Sequence, residues 1–152
     1  MKVTVLLRND HEALKALFDR FKTPSGARPA NGKKDLFDQI QRDIQIHSQM
    51  EQEIFYPALR ATPSAQAAEL VSNAQEQHLE IEKLLKELNA MSGGEKAFDT
   101  KMGLLMDEVL GHIEMEEEQI FDEARKNLPE YRLEELGLEM EDRKRILSTL
   151  AA

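Results

Sequence analysis

Glycine and proline, the residues that interrupt helices, cluster at four places, and the long stretches between them set what this chain can become. The breaks are Thr23-Pro24-Ser25-Gly26-Ala27-Arg28-Pro29-Ala30-Asn31-Gly32, Thr62-Pro63-Ser64, Ser92-Gly93-Gly94, and Pro129. The intervals repeat their apolar residues at a helical period of about 3.6. The first carries Leu7, Leu14, Leu17, Phe18 and Phe21, and the second Leu36, Phe37, Ile40, Ile44, Ile54 and Phe55. Leu70, Val71, Ile81, Leu84, Leu85 and Leu88 mark the third, and Leu104, Leu105, Val109, Ile113, Ile120 and Phe121 the fourth. No interval alternates with the period of two that a half-buried strand needs, so the chain is all-α. Short connections at Pro63 and Gly93-Gly94 favour antiparallel neighbours and predict an up-down-up-down four-helix bundle over residues 1–127. Beyond Pro129, residues 128–152 carry Leu133, Leu136, Leu138, Ile146, Leu147 and Leu150 among many charges. They read as an additional short helix or two, interrupted near Gly137, that cap the bundle or form a dimer contact. All 152 residues then form a single domain, with enough length for one core and no need of a disulfide staple.

Composition removes several classes of function. Cysteine is absent, which excludes disulfide frameworks, thiolate metal sites and cysteine nucleophiles. Acidic residues outnumber basic ones 29 to 20, a net charge of −9. Phosphate backbones and anionic membrane surfaces are therefore poor partners, and cations are suitable ones. The first residues offer only the five-residue uncharged run Val3–Leu7, too short for a signal peptide or a membrane span, so a cytoplasmic location is expected.

The four histidines fall one to a helix: His11, His47, His78 and His112. In an antiparallel hairpin, residues equally far from the turn stand at one height. His47 lies 16 residues before Pro63 and His78 15 after it. His11 lies 12 before Thr23 and His47 14 after Lys33, while His78 is 14 before Ser92 and His112 17 after Glu95. At about 1.5 Å per residue, these mismatches amount to roughly one helical turn or less. Each histidine also shares its helix's apolar face: His11 with Leu7, Leu14 and Phe18, His47 with Ile40, Ile44 and Ile54. His78 lies with Val71, Ile81 and Leu85, and His112 with Leu105, Val109 and Met115. A core imidazole without a partner costs about 1–3 kcal/mol. One such histidine is ordinarily a satisfied core residue, but four at one height point to a shared ligand.

Two carboxylates join them, Glu51 and Glu116, each one turn after a histidine in His47-x3-Glu51 and His112-x3-Glu116. Glutamate fills 20 of the 152 positions, so this spacing alone is weak. Glu82, one turn after His78, reads as solvated, and Gln52, Glu53, Glu117 and Glu118 fall off the inward face and read as surface. An internal repeat gives the spacing weight. The segment from His47 aligns with that from His112 at an offset of 65, sharing Met50/Met115, Glu51/Glu116, Glu53/Glu118 and Arg60/Arg125, with Phe55-Tyr56 opposite Ile120-Phe121. The segment from His11 aligns with that from His78 at an offset of 67. Two copies of one hairpin, each supplying His and then His-x3-Glu, make two half-sites at the bundle axis, suited to two metals bridged by two carboxylates.

Asp10-His11, His47-x3-Glu51 followed by Phe55-Tyr56-Pro57, His78, and His112-x3-Glu116 together resemble the haemerythrin-like family, the HHE cation-binding domain, over essentially all of residues 1–127. The resemblance implies that His11 and His47 bind one iron, that His78 and His112 bind a second, and that Glu51 and Glu116 bridge them. Manganese or zinc suits the same donors. Two departures stand out. Oxygen-carrying haemerythrins have a further histidine one turn before the third ligand, where this chain has Ala74, and their last motif has one more residue before its carboxylate. One iron therefore has a ligand fewer, which turns the expectation from a dedicated oxygen carrier toward a sensor, an iron-handling protein or a peroxide-reactive one. Ferritin-like oxidases, by contrast, carry more carboxylate per metal in a Glu-x-x-His motif.

Three functions are expected. The first is a non-haem di-iron protein that binds or senses O2, NO or iron. The second is a di-iron enzyme that consumes peroxide or NO. The third is a metal-free structural or partner-binding bundle. A histidine phosphotransfer bundle needs one exposed histidine, and none is singled out here.

Overall fold

Residues 1–23 and 30–151 are described by a computed structural model, and among them five helices account for nearly all of the chain. Helix α1 is Val3–Lys22. Helix α2 (30–60) comprises Ala30–Met50, a π-helical turn Glu51–Phe55, and Tyr56–Arg60. Helix α3 is Ala65–Asn89. Helix α4 (96–127) repeats the pattern of α2, with Lys96–Met115, a π-helical turn Glu116–Ile120, and Phe121–Asn127. Helix α5 is Glu130–Ala151. The expected first break lies in part at residues 24–29, outside the described residues; the other three fall between helices as the glycine and proline pattern predicts.

The ends of the helices are tied in a way that makes α1 to α4 an up-down-up-down bundle. Ser64 caps α3 by accepting from the Ala67 N–H, and its hydroxyl donates to Glu123 near the end of α4. Lys34, near the start of α2, donates to the carbonyls of Leu88, Asn89 and Met91 at the end of α3. That places a cation on the negative end of the α3 dipole.

Two apolar clusters fill the bundle, one on each side of the histidines. The first gathers Leu14, Phe18, Phe37, Ile40, Leu88, Phe98, Met102 and Leu105. The second gathers Leu7, Met50, Phe55, Tyr56, Leu59, Val71 and Phe121. Most of the residues expected in the core are buried, but Leu104 is 52% exposed, lying outside the stripe that Leu105 and Val109 define.

The C-terminal segment departs from expectation. It is one unbroken helix, parallel to α1 and antiparallel to α2, with Leu133, Leu136, Met140 and Leu147 buried in the second cluster, and Leu138, Ile146 and Leu150 exposed. Gly137 does not interrupt it. A Cβ there would stand 1.9 Å from the Met1 carbonyl oxygen, so the glycine lets α5 lie close against the start of the chain. Among the described residues, no helix is long and apolar enough to cross a membrane.

Candidate metal centre

The four histidines meet in pairs, each contributing its Nε2 to the interior. His11 Nε2 lies 3.2 Å from His47 Nε2, and His78 Nε2 lies 3.1 Å from His112 Nε2. Between the pairs stand the two glutamates, both fully buried. Glu51 Oε1 is 3.2 Å from His78 Nε2 and 3.4 Å from His47 Nε2, so it faces both pairs. Glu116 does the same, with Oε1 3.1 Å from His11 Nε2 and Oε2 3.6 Å from His112 Nε2. The six residues picked out by spacing are thus brought together, and they form two overlapping groups: His11, His47, Glu51 and Glu116, then Glu51, His78 and His112.

Three oxygens of these buried carboxylates, Glu51 Oε1 and Oε2 and Glu116 Oε1, have no hydrogen-bond partner. A buried carboxylate is costly unless a cation or hydrogen-bond donors compensate it. Converging imidazole nitrogens are neutral donors of the kind that iron, manganese and zinc accept. The donor set therefore fits a metal cation. Protons do part of that work in the cation's absence. Burial alone would lower the basicity of His47, yet the charge of Glu51 and contacts to Asp10, Glu116 and Glu51 raise its pKa well above the ordinary 6.5. Burial would likewise raise Glu51, and the charge of His47, with the His112 ring also close by, instead holds it well below the usual carboxylate range.

Local backbone geometry seats both glutamates. Each begins a π-helical turn, in which the Tyr56 N–H bonds the Glu51 carbonyl and the Phe121 N–H bonds the Glu116 carbonyl. One extra residue per turn rotates the helix beyond it. In a straight α-helix, a residue five positions on is turned by about 140° from its starting face. The π turn instead brings Tyr56 and Phe121 back to the face of the glutamate before them. Pro57 comes next without breaking α2, its ring beside the widened turn, whereas α4 makes the same turn with no proline.

Tyr56 is the residue that sequence spacing missed. Its hydroxyl donates to Glu116 Oε2 at 2.6 Å and stands 3.4 Å from His78 Nε2. Burial, and then the charges of Glu116 and Glu51, push its pKa well above 10.0 and keep the phenol protonated. The repeat places Tyr56 opposite Phe121, a pairing that hints at an equivalent post, but helical periodicity points both residues away from the histidines. Phe121 in fact stacks on His11 with a 2° angle between rings.

Two further residues overturn the surface reading. Glu117 Oε2 accepts from His11 Nδ1 at 2.6 Å, and the Gln52 amide bonds His78 Nδ1 at 2.9 Å. Each comes directly after a buried glutamate and lies beside the neighbouring helix, where a flanking position meets a protein group before it meets water. The remaining ring nitrogens are held similarly. His47 Nδ1 donates to Asp10 at 3.3 Å and His112 Nδ1 donates to Gln77 Oε1 at 2.6 Å. Fixing Nδ1 in this way fixes which nitrogen faces the centre. Glu53 and Glu82 behave as expected, pairing at the surface with Arg143 and Lys86, and Glu118 is exposed.

Comparison with known proteins agrees with this geometry. Residues 3–124 match the hemerythrin HHE cation binding domain. The crystal structure of a hemerythrin HHE cation binding domain-containing protein from Mycobacterium kansasii superposes with a TM-score of 0.82 at 21% identity, covering 97% of this chain and 87% of that one. A DNA nickase from Nostoc sp. is 25% identical over 139 residues, which are 91% of this chain, and the chain spans only 38% of that protein's length. By the match over residues 3–124, the chain belongs to the hemerythrin HHE cation-binding domain family.

Proposed function

We propose that the chain holds two iron ions in the bundle core, His11 and His47 binding one, His78 and His112 the other, Glu51 and Glu116 bridging, and that it binds or senses O2 there. The observation that carries this reading is the meeting of four Nε2 atoms with two fully buried carboxylates, three of whose oxygens have no hydrogen-bond partner. Iron in particular rests on the family, since imidazole and carboxylate donors also suit manganese and zinc. The chemistry such a pair of irons supplies when bound is electron donation to a small diatomic molecule, and NO or iron itself are related readings of the same site.

The chain's own residues shape what that chemistry does. Two neutral histidines per metal leave more positive charge at the centre than a carboxylate-rich site would, which favours its reduced form. Phe121 against His11 and Phe55 against Phe121 form an apolar wall that excludes water from this side. Ala74 is fully buried where oxygen carriers have a further histidine, so that position supplies no donor. A nucleic-acid activity of the kind named for the Nostoc relative is not favoured for this chain, because a net charge of −9 repels a phosphate backbone.

Purification and Fe(II) reconstitution without oxygen test the proposal. Two irons per chain, and a charge-transfer absorption that forms in air and reverses when O2 is removed, are the expected results. A band that forms and never reverses overturns the binding or sensing role. A second reading, consumption of peroxide or NO, is favoured by Tyr56, whose protonated hydroxyl stands ready beside Glu116 and His78. It predicts many turnovers of H2O2 or NO per chain, lost in His47→Ala and slowed in Tyr56→Phe. Less than one turnover per site overturns it.

A further inference from the structure

The internal repeat makes the two half-sites equivalent in their ligands, and the residues behind those ligands break the equivalence. Behind His47 and His11 stand the carboxylates of Asp10 and Glu117. Their counterparts in the repeat are Gln77 and Gln52, and these stand behind His112 and His78. At each of the two positions, one hairpin has an acid where the other has an amide. We propose that the two half-sites therefore load in a fixed order, His11/His47 taking a divalent cation first and holding it, and His78/His112 taking the second more weakly and exchanging it. This rests on the two-metal reading above.

A carboxylate that accepts from Nδ1–H raises the donor strength of Nε2, here with Lys144 sharing Asp10 and Arg8 sharing Glu117, and such partners typically change metal affinity by about 10–100-fold. A neutral amide oxygen does so less. The first half-site also has four donors within reach of a single ion, counting both glutamates, whereas the second has three. On the side of His78 and His112, moreover, the Tyr56 hydroxyl already occupies Glu116 Oε2.

The chain behind His78 weakens the second half-site further. Arg60, which can only donate, bonds Gln75 Oε1 at 2.8 Å. Gln75 must then offer its amide nitrogen to Gln52 Oε1, at 3.0 Å, which turns the Gln52 amide nitrogen toward His78 Nδ1. A donor facing Nδ1 places the ring proton on Nε2, the atom that points into the centre. For Nε2 to take a metal, that proton must move to Nδ1, where the Ser48 hydroxyl at 3.1 Å can accept from it and the Gln52 amide must turn away. His47 needs no change of tautomer, because the acceptor Asp10 already faces its Nδ1–H.

The cavities beside these histidines differ in size. His78 lines a groove of about 540 Å³ between α2 and α3, and His112 lines one of about 560 Å³ between α3 and α4. His47 lines a cavity of about 90 Å³, which Lys144 and Ser148 of α5 help to close.

Titrating the metal-free full chain with Co(II) in the absence of oxygen, followed by calorimetry and by cobalt ligand-field absorption, tests the order. In the wild type, two ions bind in two steps, the first at least tenfold tighter. His78→Ala keeps the first step unchanged and loses the second, whereas His11→Ala loses the tight step. Asp10→Asn with Glu117→Gln weakens the first step by about 10–100-fold and spares the second. Gln52→Glu with Gln77→Glu tightens the second step and narrows the gap, and remains decisive if the first pair of substitutions impairs folding. A first step lost in His78→Ala and kept in His11→Ala, or pairs of substitutions that shift both steps alike, overturns the order. Two ions bound with equal affinity also overturn the order and leave the two-metal reading standing. No uptake, or a ceiling of one ion per chain, overturns the two-metal reading itself.

Discussion

The apolar cluster around Phe18, Phe37 and Phe98 and the cluster around Phe55, Tyr56 and Phe121 lie on opposite sides of the histidines, and they are built by different rules. In the first, every contributing stretch is regular α-helix, ahead of the π turns in α2 and α4, and side chains meet at ordinary helical spacing. Phe98 contacts Phe37 edge-on at 5.8 Å and Phe21 at 6.3 Å, with Lys34 above the rings of Phe37 and Phe98. In the second, two helices carry π-helical turns, a proline lies within one of them, and α5 is needed to cover the outer side. The first cluster keeps regular helical hydrogen bonding throughout. The second gives up regular hydrogen bonding to aim two carboxylates and a phenol at one point.

If this division holds, damage to the two ends separates cleanly. Phe98→Ala removes a fully buried ring from the regular end, and should lower unfolding stability by about 3–5 kcal/mol in denaturant titrations. Metal stoichiometry should not change. A loss of metal uptake in a folded Phe98→Ala protein would break the comparison.

Metal loading acts at the other end and is the next largest effect. A ligand that binds only the folded state stabilises it by about 2.7 kcal/mol at a concentration 100 times its dissociation constant. The increment should appear in the wild type and in Phe98→Ala alike, and vanish in Glu51→Ala. Thermal unfolding with and without added metal measures it in all three proteins.

The pH dependence of the metal-free protein sharpens the same contrast, because the titrating groups with the largest shifts sit in the polar slab. Glu51, held below 4.5, contributes stability that is present above about 4.5 and is lost as pH falls through its folded value. His47, raised above 6.5, contributes stability that is complete below about 6.5 and is lost as pH rises through its folded value. Metal-free stability should therefore peak between these two and decline on the alkaline side. Metal affinity should move oppositely there, rising by up to about tenfold per pH unit until His47 has given up its proton. A metal affinity independent of pH across that range would mean that His47 is not a ligand.

The same contrast decides how much is legible in the residues themselves. Helices, connections and the level of the histidines are consequences of 3.6-residue periodicity and chain reversal, and Leu14, Phe37 and Leu105 fall where that geometry puts them. The inward aim of His11, His47, His78 and His112, with Glu51 and Glu116, is legible for the same reason, since His-x3-Glu spans one ordinary turn. The residues just beyond each glutamate are not legible in this way. A π turn leaves no periodic trace, so regular spacing points Tyr56 away from the site and assigns Gln52 and Glu117, one position past the glutamates, to solvent. Gly137 misleads for a different reason. Its role depends on the Met1 carbonyl, a contact between residues far apart in the chain, and so it resembles an ordinary interruption.

Tyr56→Phe is the smallest of these tests and the most specific, because the repeat already shows what a phenylalanine does at this post. Phe121 fills the equivalent position and is fully buried, so the substitution should leave the bundle and the π turn intact. What it removes is the hydrogen bond to Glu116 Oε2, and a bond to a buried charged group is worth about 1.5–3 kcal/mol. In the metal-free protein the cost should approach that range, since Glu116 would be left with neither of its oxygens hydrogen-bonded. In the loaded protein the cost should shrink, because a cation then balances the same carboxylate. A Tyr56→Phe protein equally destabilised with and without metal would assign the phenol to packing at the irregular end. A cost that depends on metal would tie the π turn, and the residue it delivers, to the centre.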